Sequence, residues 1–168
     1  MNNIYLVGFM GTGKSSVGLR ISREIKGDFI DLDKFIEEQE NKTISDIFKE
    51  KGEPYFRGLE KNFLKDVAVK KNQIIACGGG IVIDPDNIKL MKSNGTMVCL
   101  TASPDVIMER TRKSNHRPLL NVPDPQEAIR ALLADRQKFY SQADITIDTS
   151  EISIKEVATR VLNSLPKD

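Results

Sequence analysis

Short runs of apolar residues alternate along the chain with longer stretches in which apolar residues recur every three or four positions. The short runs have the length and composition of buried strands, and they lie at residues 4–7, 28–33, 74–77, 97–100 and 144–148. The longer stretches predict amphipathic helices. Because strands that alternate with helices favour a parallel sheet covered on both faces, the pattern predicts an α/β fold with five strands.

The loop after the first strand carries the clearest motif. Residues 8–15 read Gly-Phe-Met-Gly-Thr-Gly-Lys-Ser, which fits the phosphate-binding P-loop pattern G-x-x-x-x-G-K-[ST]. Its glycines let successive backbone N–H groups face a polyphosphate, and the helix that follows adds the positive end of its dipole. In this pattern Lys14 reaches the β- and γ-phosphates, and the Ser15 hydroxyl ligands Mg²⁺. The flanking strand and helix favour a nucleotide site over a glycine-rich turn that caps an ordinary helix.

Length and charge exclude several classes of protein. The 168 residues suit one domain, and a net charge of +1 gives no basic footprint for nucleic acid or a membrane surface. No apolar run approaches the length of a membrane span, and the chain enters its first strand without a signal peptide. Cys77 and Cys99 lie in apolar runs and are interpreted as buried hydrophobic residues, not as a disulfide. We therefore expect a cytoplasmic protein, and the balanced charge favours a monomer.

Two acidic residues end the second predicted strand. Asp31 and Asp33 alternate, so on a strand they would face the same side. Because ligands bind beyond the carboxyl ends of parallel strands, one carboxylate can hold Mg²⁺ and the other can orient an attacking hydroxyl group. The alternative is a solvated strand end in which Asp33 caps the next helix. The nearby P-loop favours the functional interpretation.

Three glycines, at residues 78–80, follow the third strand. Their exposed backbone N–H groups suit the close approach of a phosphate or of a small polyhydroxylated substrate. The alternative is a flexible loop, because three glycines alone are a weak signal. Their place at the end of a strand favours binding.

Arginines are candidates to bind an anion. Arg57 lies on a long predicted helix. Arg117 lies in the polar loop that comes later in the chain, and Arg136 lies on the helix after that loop. Each alone is more often a surface residue. The polar segment at residues 111–125 carries three prolines and predicts an irregular loop, which in a compact domain is typically a lid. A lid arginine at position 117 can neutralise charge on a phosphoryl group in transfer.

In combination these motifs resemble those of the shikimate kinases. The P-loop is shared by many enzymes, but the remaining motifs are more specific, and they follow in the same order along nearly the full chain. The set is Gly8-x-x-Gly11-x-Gly13-Lys14-Ser15, Asp31-x-Asp33, Phe56-Arg57-x-x-Glu60, Gly78-Gly79-Gly80, Arg117-Pro118-Leu119-Leu120 and Arg136-x-x-x-Tyr140.

The resemblance implies the three-layer α/β/α P-loop fold of the nucleoside monophosphate kinases, with a parallel sheet in the strand order 2-3-1-4-5. It implies a single kinase domain over residues 1–168, with a substrate-binding segment at about residues 32–62 and a mobile lid at about residues 111–124. The implied reaction transfers the γ-phosphoryl group of ATP to the 3-hydroxyl of shikimate, giving shikimate 3-phosphate and ADP. This step belongs to the biosynthesis of chorismate and the aromatic amino acids.

Two alternatives remain at this point. The first is a P-loop kinase for another small acceptor, such as gluconate or a nucleoside monophosphate. The second is a non-catalytic nucleotide-binding module. The presence of Lys14, Ser15, Asp33 and Arg117 argues against the second alternative.

On the donor side, the resemblance implies that Ser15 ligands Mg²⁺ and that Asp31 reaches the ion through water. Lys14 and Arg117 would stabilise the transferring group, and Arg110 would lie against the adenine. The residues implied in ATP binding are Gly11, Thr12, Gly13, Lys14, Ser15, Ser16, Arg110 and Arg117.

On the acceptor side, the resemblance implies that Asp33 holds the substrate hydroxyls and orients or deprotonates the 3-hydroxyl. Arg57 and Arg136 would bind the carboxylate, and Gly79 would donate a backbone N–H. Glu60 would hold Arg57 in place. These groups complement shikimate, because shikimate carries one carboxylate and three hydroxyls.

Two stretches depart from the family pattern. Family members often carry a basic residue and a proline after the last strand, against the adenine, whereas residues 149–153 read Thr-Ser-Glu-Ile-Ser. No adenine contact is therefore assigned there. An aspartate is also absent before the glycine run, at Ala76 and Cys77, so metal binding would depend on Ser15 and Asp31.

Overall fold

The computed structural model of this chain describes residues 2–112 and 118–166. Five strands form one sheet in the order β2-β3-β1-β4-β5, and every neighbouring pair is parallel. This confirms the predicted α/β class and the strand order. The strands are β1 (Asn3–Val7), β2 (Asp28–Asp31), β3 (Gln73–Ala76), β4 (Gly95–Thr101) and β5 (Ile145–Asp148).

Eight α-helices connect and cover the strands in the described part of the chain. They are α1 (Lys14–Ile25), α2 (Leu32–Glu40), α3 (Ile44–Lys51), α4 (Glu53–Ala68), α5 (Pro85–Asn94), α6 (Pro104–Thr111), α7 (Pro125–Tyr140) and α8 (Ile154–Ser164). Several begin where the sequence offers a capping side chain, because a hydroxyl can accept a hydrogen bond from an otherwise unpaired N–H group. Thr43, Ser103 and Ser153 cap α3, α6 and α8 in this way. None of the helices within the described ranges is long and apolar enough to cross a bilayer.

Residues on opposite faces of the sheet belong to two separate hydrophobic clusters. In β1, Tyr5 and Val7 face one cluster, which includes residues of α2 to α7. Ile4 and Leu6 face the other, which includes residues of α1 and α8. Each fully buried Ile or Leu side chain contributes about 1.5–3 kcal/mol relative to exposure. The result is the predicted three-layer α/β/α arrangement, and both cysteines are free and buried within it.

The boundary between β2 and α2 corrects one prediction. The strand ends at Asp31, and Asp33 lies in the first turn of α2. Asp31 is the helix cap, since its Oδ1 accepts a hydrogen bond of 3.3 Å from the N–H of Lys34. The expectation that both carboxylates face one side of a strand was therefore wrong, as was the alternative that Asp33 is the cap. Capping by Asp31 ends the extended backbone two residues earlier than the apolar pattern suggested.

Two short 3₁₀ turns were not predicted. Ile81–Ile83 follows the three glycines, and Pro118–Leu120 interrupts the segment that was expected to be irregular. Both contain consecutive apolar residues, and the first is packed into the core at Ile81 and Val82.

Candidate active site

The P-loop is held in shape by its own side chains. Gly8 has a φ of +133°, and a Cβ there would lie 2.1 Å from the carbonyl oxygen of Leu100, so only glycine fits beside β4. The Lys14 ammonium donates to the carbonyls of Gly8 and Phe9, each at 2.9 Å. These bonds close the loop into a ring.

Thr12 differs in placement from the other residues expected to bind ATP. Its hydroxyl donates to the carbonyl of Phe9 at 2.7 Å, and its side chain is buried. It borders a cavity on the other side of the loop, together with Gln137 and Tyr140. Its available contribution to a phosphate site is its backbone N–H group.

The two residues expected at the metal are in direct contact. The Ser15 hydroxyl donates to Asp31 Oδ2 at 2.5 Å. Within residues 2–112 and 118–166, no cluster of three or more His, Cys, Asp or Glu side chains could form a complete protein cage for an ion. A site with two protein oxygens fits Mg²⁺, because this ion keeps several waters and is usually shared with substrate phosphates.

A cavity of about 320 Å³ opens beside the P-loop. We call it the donor cavity. It is bordered by most of the residues predicted to bind ATP and metal, namely Gly11, Gly13, Lys14, Ser15, Ser16, Asp31 and Arg110. Asp33 and Gly79 also border it, from the ends of β2 and β3.

A second cavity, of about 90 Å³, adjoins the first. We call it the acceptor cavity. The predicted substrate residues Asp33, Arg57, Gly79 and Arg136 all border it. Met10, Asp33 and Gly79 border both cavities, so these residues lie at the junction between them.

Each of the three glycines lies against a different group. A Cβ on Gly78 would lie 2.3 Å from Glu60 Oε1 and 2.8 Å from Asp33 Oδ1. A Cβ on Gly80 would lie 2.4 Å from three atoms of the Arg57 guanidinium, so this group lies over the Gly80 Cα. A Cβ on Gly79 would lie 3.5 Å from the backbone nitrogen of Met10 in the P-loop. The absence of side chains thus creates room for the charged groups of the site.

Arg57 is held by two acids on its own helix. Its Nε and Nη2 donate to Glu53 Oε1 at 3.1 Å and 2.8 Å, and its Nη1 donates to Glu60 Oε2 at 2.5 Å. The side chains of Glu53, Arg57 and Glu60 share one face of α4 because they are three and four residues apart. Glu60 therefore orients Arg57, as the resemblance implied.

Burial raises the pKa of both acids beside Gly78. The pKa of Asp33 rises to about 6 because of burial, against the opposing effect of the Lys14 ammonium and with a further rise from Asp31. The pKa of Glu60 rises to about 7, because the cost of burying its charge exceeds the stabilisation by Arg57. A carboxyl group with a pKa near 6 can exchange a proton at neutral pH.

Arg136 enters the acceptor cavity from α7. It is buried, its guanidinium lies 5.7 Å above the Phe9 ring, and its Nη1 has no hydrogen-bond partner among the described residues. One turn later, the Tyr140 hydroxyl donates to the carbonyl of Gly79 at 2.6 Å. A buried guanidinium with an unpaired N–H group is suited to an anionic ligand, because leaving that group unpaired costs free energy.

The sequence assigned no residue after β5, yet Thr149 there binds Arg110, which borders the donor cavity. Its hydroxyl oxygen lies 3.1 Å from the carbonyl oxygen of Thr12 and 3.0 Å from that of Thr101, so its single proton can be donated to either. Arg110 donates to the Thr149 hydroxyl and carbonyl at 3.0 Å and 2.8 Å, and to the Gly11 carbonyl at 3.2 Å. The position of Thr149 directly after a strand was the available signal.

Arg117 lies outside the described residues, because residues 113–117 are not described. Of the predicted lid, Leu119 borders the acceptor cavity. Thr111, at the start of that segment, still belongs to α6.

Comparison with known proteins agrees with this arrangement. The family profile described as shikimate kinase matches residues 10–166. A shikimate kinase from Thermoanaerobacter pseudethanolicus is 47% identical over 164 residues, covering 98% of this chain and 96% of that protein.

Solved structures give the same result. A shikimate kinase from Acinetobacter baumannii in complex with shikimate superposes with a TM-score of 0.94 at 34% identity, covering 97% of this chain and 92% of that one. A shikimate kinase from Aquifex aeolicus gives a TM-score of 0.85 at 41% identity, with 96% and 95% covered. The chain belongs to the shikimate kinase family and is an ATP-dependent kinase.

Proposed function

We propose that ATP binds in the donor cavity and shikimate in the acceptor cavity, so that the γ-phosphoryl group passes directly from ATP to the 3-hydroxyl of shikimate. The observation that carries this assignment is the junction at Asp33 and Gly79, which border both cavities. Phosphoryl transfer needs the attacking oxygen and the phosphorus atom close together and in line, and adjoining cavities with a shared carboxylate meet that need.

In the donor cavity, the P-loop N–H groups and the amino end of α1 bind the phosphates, and Lys14 balances charge on the transferring group. Gly11, Gly13 and Ser16 line this cavity, and Thr12 adds its backbone N–H. Ser15 would hold a Mg²⁺ ion that binds with ATP, and Asp31 would hold the same ion through water. When bound, the metal would neutralise negative charge on the phosphate oxygens.

Arg110 lies against the adenine in this proposal. Its anchoring by Thr149 and Gly11 supports a fixed guanidinium at that edge of the donor cavity. A planar guanidinium stacks well on an aromatic base.

In the acceptor cavity, Asp33 accepts hydrogen bonds from the substrate hydroxyls, and its Oδ1 has no partner among the described residues. Asp33 takes the proton of the 3-hydroxyl as the oxygen bonds to the γ-phosphorus and the bond to the β-phosphate oxygen breaks. Arg57 and Arg136 bind the carboxylate, and Gly79 donates its N–H. The products are shikimate 3-phosphate and ADP.

We also propose that one kinase domain spans residues 1–168, with a substrate-binding segment at about residues 32–62 and a lid at about residues 111–124 that brings Arg117 to the transferring group. We propose in addition that the protein is a monomer that acts on small molecules in the cytoplasm. The net charge of +1 supports the absence of a nucleic-acid or membrane partner.

A coupled assay of ADP release tests the reaction. We expect turnover with shikimate and none above background with gluconate or nucleoside monophosphates at equal concentration. Turnover with one of those acceptors and not with shikimate would refute the proposed substrate. Tight ATP binding without turnover on any acceptor would instead identify a non-catalytic module.

A further inference from the structure

Tyr140 is a buried residue at the end of α7 for which the reaction just described has no role. Its hydroxyl oxygen lies 2.6 Å from the carbonyl oxygen of Gly79, and its side chain is 4% exposed. Burial raises the pKa of Tyr140 to about 12, against the opposing effect of the neighbouring Arg136 guanidinium. The hydroxyl therefore keeps its proton at neutral pH and donates a hydrogen bond to the Gly79 carbonyl.

The direction of this hydrogen bond fixes one peptide plane. Tyr140 borders the cavity behind the P-loop together with Phe9 and Thr12, and it is not among the described residues that border the acceptor cavity. The Gly79 carbonyl therefore points toward Tyr140. Because the C=O and N–H groups of a trans peptide point in opposite directions, the N–H of Gly80 points away from Tyr140.

That N–H group is available for a ligand. Gly80 lines the acceptor cavity, and its N–H makes no hydrogen bond to another group within the described ranges. The Arg57 guanidinium covers the Gly80 Cα, and Arg136 Nη1 lies 3.6 Å from the Cβ position of Gly79. A donor between two arginines is placed for an anion.

Three successive glycines make residues 78–80 unusually free in backbone conformation, so the Gly79–Gly80 peptide needs a restraint from elsewhere in the chain. The chain supplies one from α7, 61 residues away in sequence. A hydrogen bond to the carbonyl also polarises the peptide and strengthens its N–H as a donor.

We propose that Tyr140 is a positioning residue for the acceptor site, which holds the Gly79–Gly80 peptide so that the Gly80 N–H is presented to the substrate carboxylate between Arg57 and Arg136. This proposal rests on the proposed function, because it requires the carboxylate to lie at this end of the acceptor cavity.

The test is Tyr140→Phe, which removes only the hydroxyl. We expect the KM for shikimate to rise about three- to tenfold, while kcat and the KM for ATP change less than twofold. Tyr5→Phe is the matched control, because Tyr5 is fully buried and its hydroxyl accepts a hydrogen bond of 3.3 Å from the Asn3 side chain, away from both cavities. The control should leave all three kinetic parameters within twofold.

A second measurement reports on the peptide itself. In ¹⁵N-labelled wild-type protein, the Gly80 amide resonance should move downfield in the proton dimension when shikimate is added. The shift should be at most half as large in Tyr140→Phe at saturating shikimate.

The proposal is overturned if Tyr140→Phe leaves the KM for shikimate unchanged. It is also overturned if the KM values for shikimate and ATP both rise and the variant loses much more thermal stability than Tyr5→Phe does. An unchanged Gly80 shift in the variant would also overturn it. Failure of the wild-type enzyme to turn over shikimate would instead refute the proposed function, so the two failures are distinguishable.

Discussion

Asp33 Oδ1 and Glu60 Oε1 converge on the Cα of Gly78. A Cβ at that glycine would lie 2.8 Å from the first oxygen and 2.3 Å from the second, so the two oxygens are no more than about 5 Å apart. Neither oxygen has a hydrogen-bond partner among the described residues. Two acids this close, one from the start of α2 and one from α4, oppose each other's ionisation.

Gly78→Ala should destabilise the protein by about 2–4 kcal/mol and abolish turnover, because the added methyl group displaces both carboxylates. Urea unfolding measures the first effect. Gly58→Ala is the matched control, since Gly58 lies within α4 and a Cβ there would meet nothing within 4 Å. The control should be stabilised by about 0.5–1 kcal/mol, as for alanine in place of glycine in a helix. Equal stability of the two variants would contradict the packing at Gly78.

Glu60→Gln should change how stability depends on pH. The pKa of Glu60 rises from its ordinary value of 4.5 to about 7 in the folded protein, so the folded state binds more protons than the unfolded state between these two pH values. The stabilisation from Glu60 is thus fully present below pH 4.5 and is lost progressively as the pH rises to about 7. Each unit between the two pKa values corresponds to about 1.4 kcal/mol.

The measurement is the free energy of unfolding from pH 5 to pH 8. The wild type should lose stability with rising pH relative to Glu60→Gln. Loss of the ion pair with Arg57 adds an offset, so the slope and not the absolute difference reports the titration. Parallel curves for the two proteins would show that Glu60 does not titrate in this range.

Asp33→Asn should lower kcat by about 10²–10⁴-fold, because the amide keeps the shape of the side chain but cannot accept the hydroxyl proton. The affinity for ATP should remain within twofold, as measured by calorimetry. A comparable loss of ATP affinity would mean that Asp33 acts mainly in the donor cavity.

Thr149→Val should raise the KM for ATP about three- to tenfold and leave that for shikimate unchanged. The variant removes the hydroxyl that contacts Arg110, Thr12 and Thr101 while preserving the volume of the side chain. Thr146→Val, at an exposed position on β5, is the control. A larger effect on shikimate than on ATP would contradict the role of Thr149 in holding Arg110.

Local patterns were enough to predict the five strands and the P-loop. Alternating and 3.6-residue periodicities depend only on neighbouring residues, and so does the P-loop signature. The boundary at Asp31 was mispredicted because apolar residues continue through it while the choice of cap depends on which carboxylate meets the Lys34 N–H.

The sequence by itself determined the α/β fold, the phosphate-binding loop and the set of charged residues from which the site is built. The tertiary structure decided which of them meet. Tyr140 and Gly79 are 61 residues apart, and Arg110 and Thr149 are 39 apart. Contacts at such separations arise from the sheet order and helix packing, which bring strand ends together at one edge, and no local periodicity encodes them.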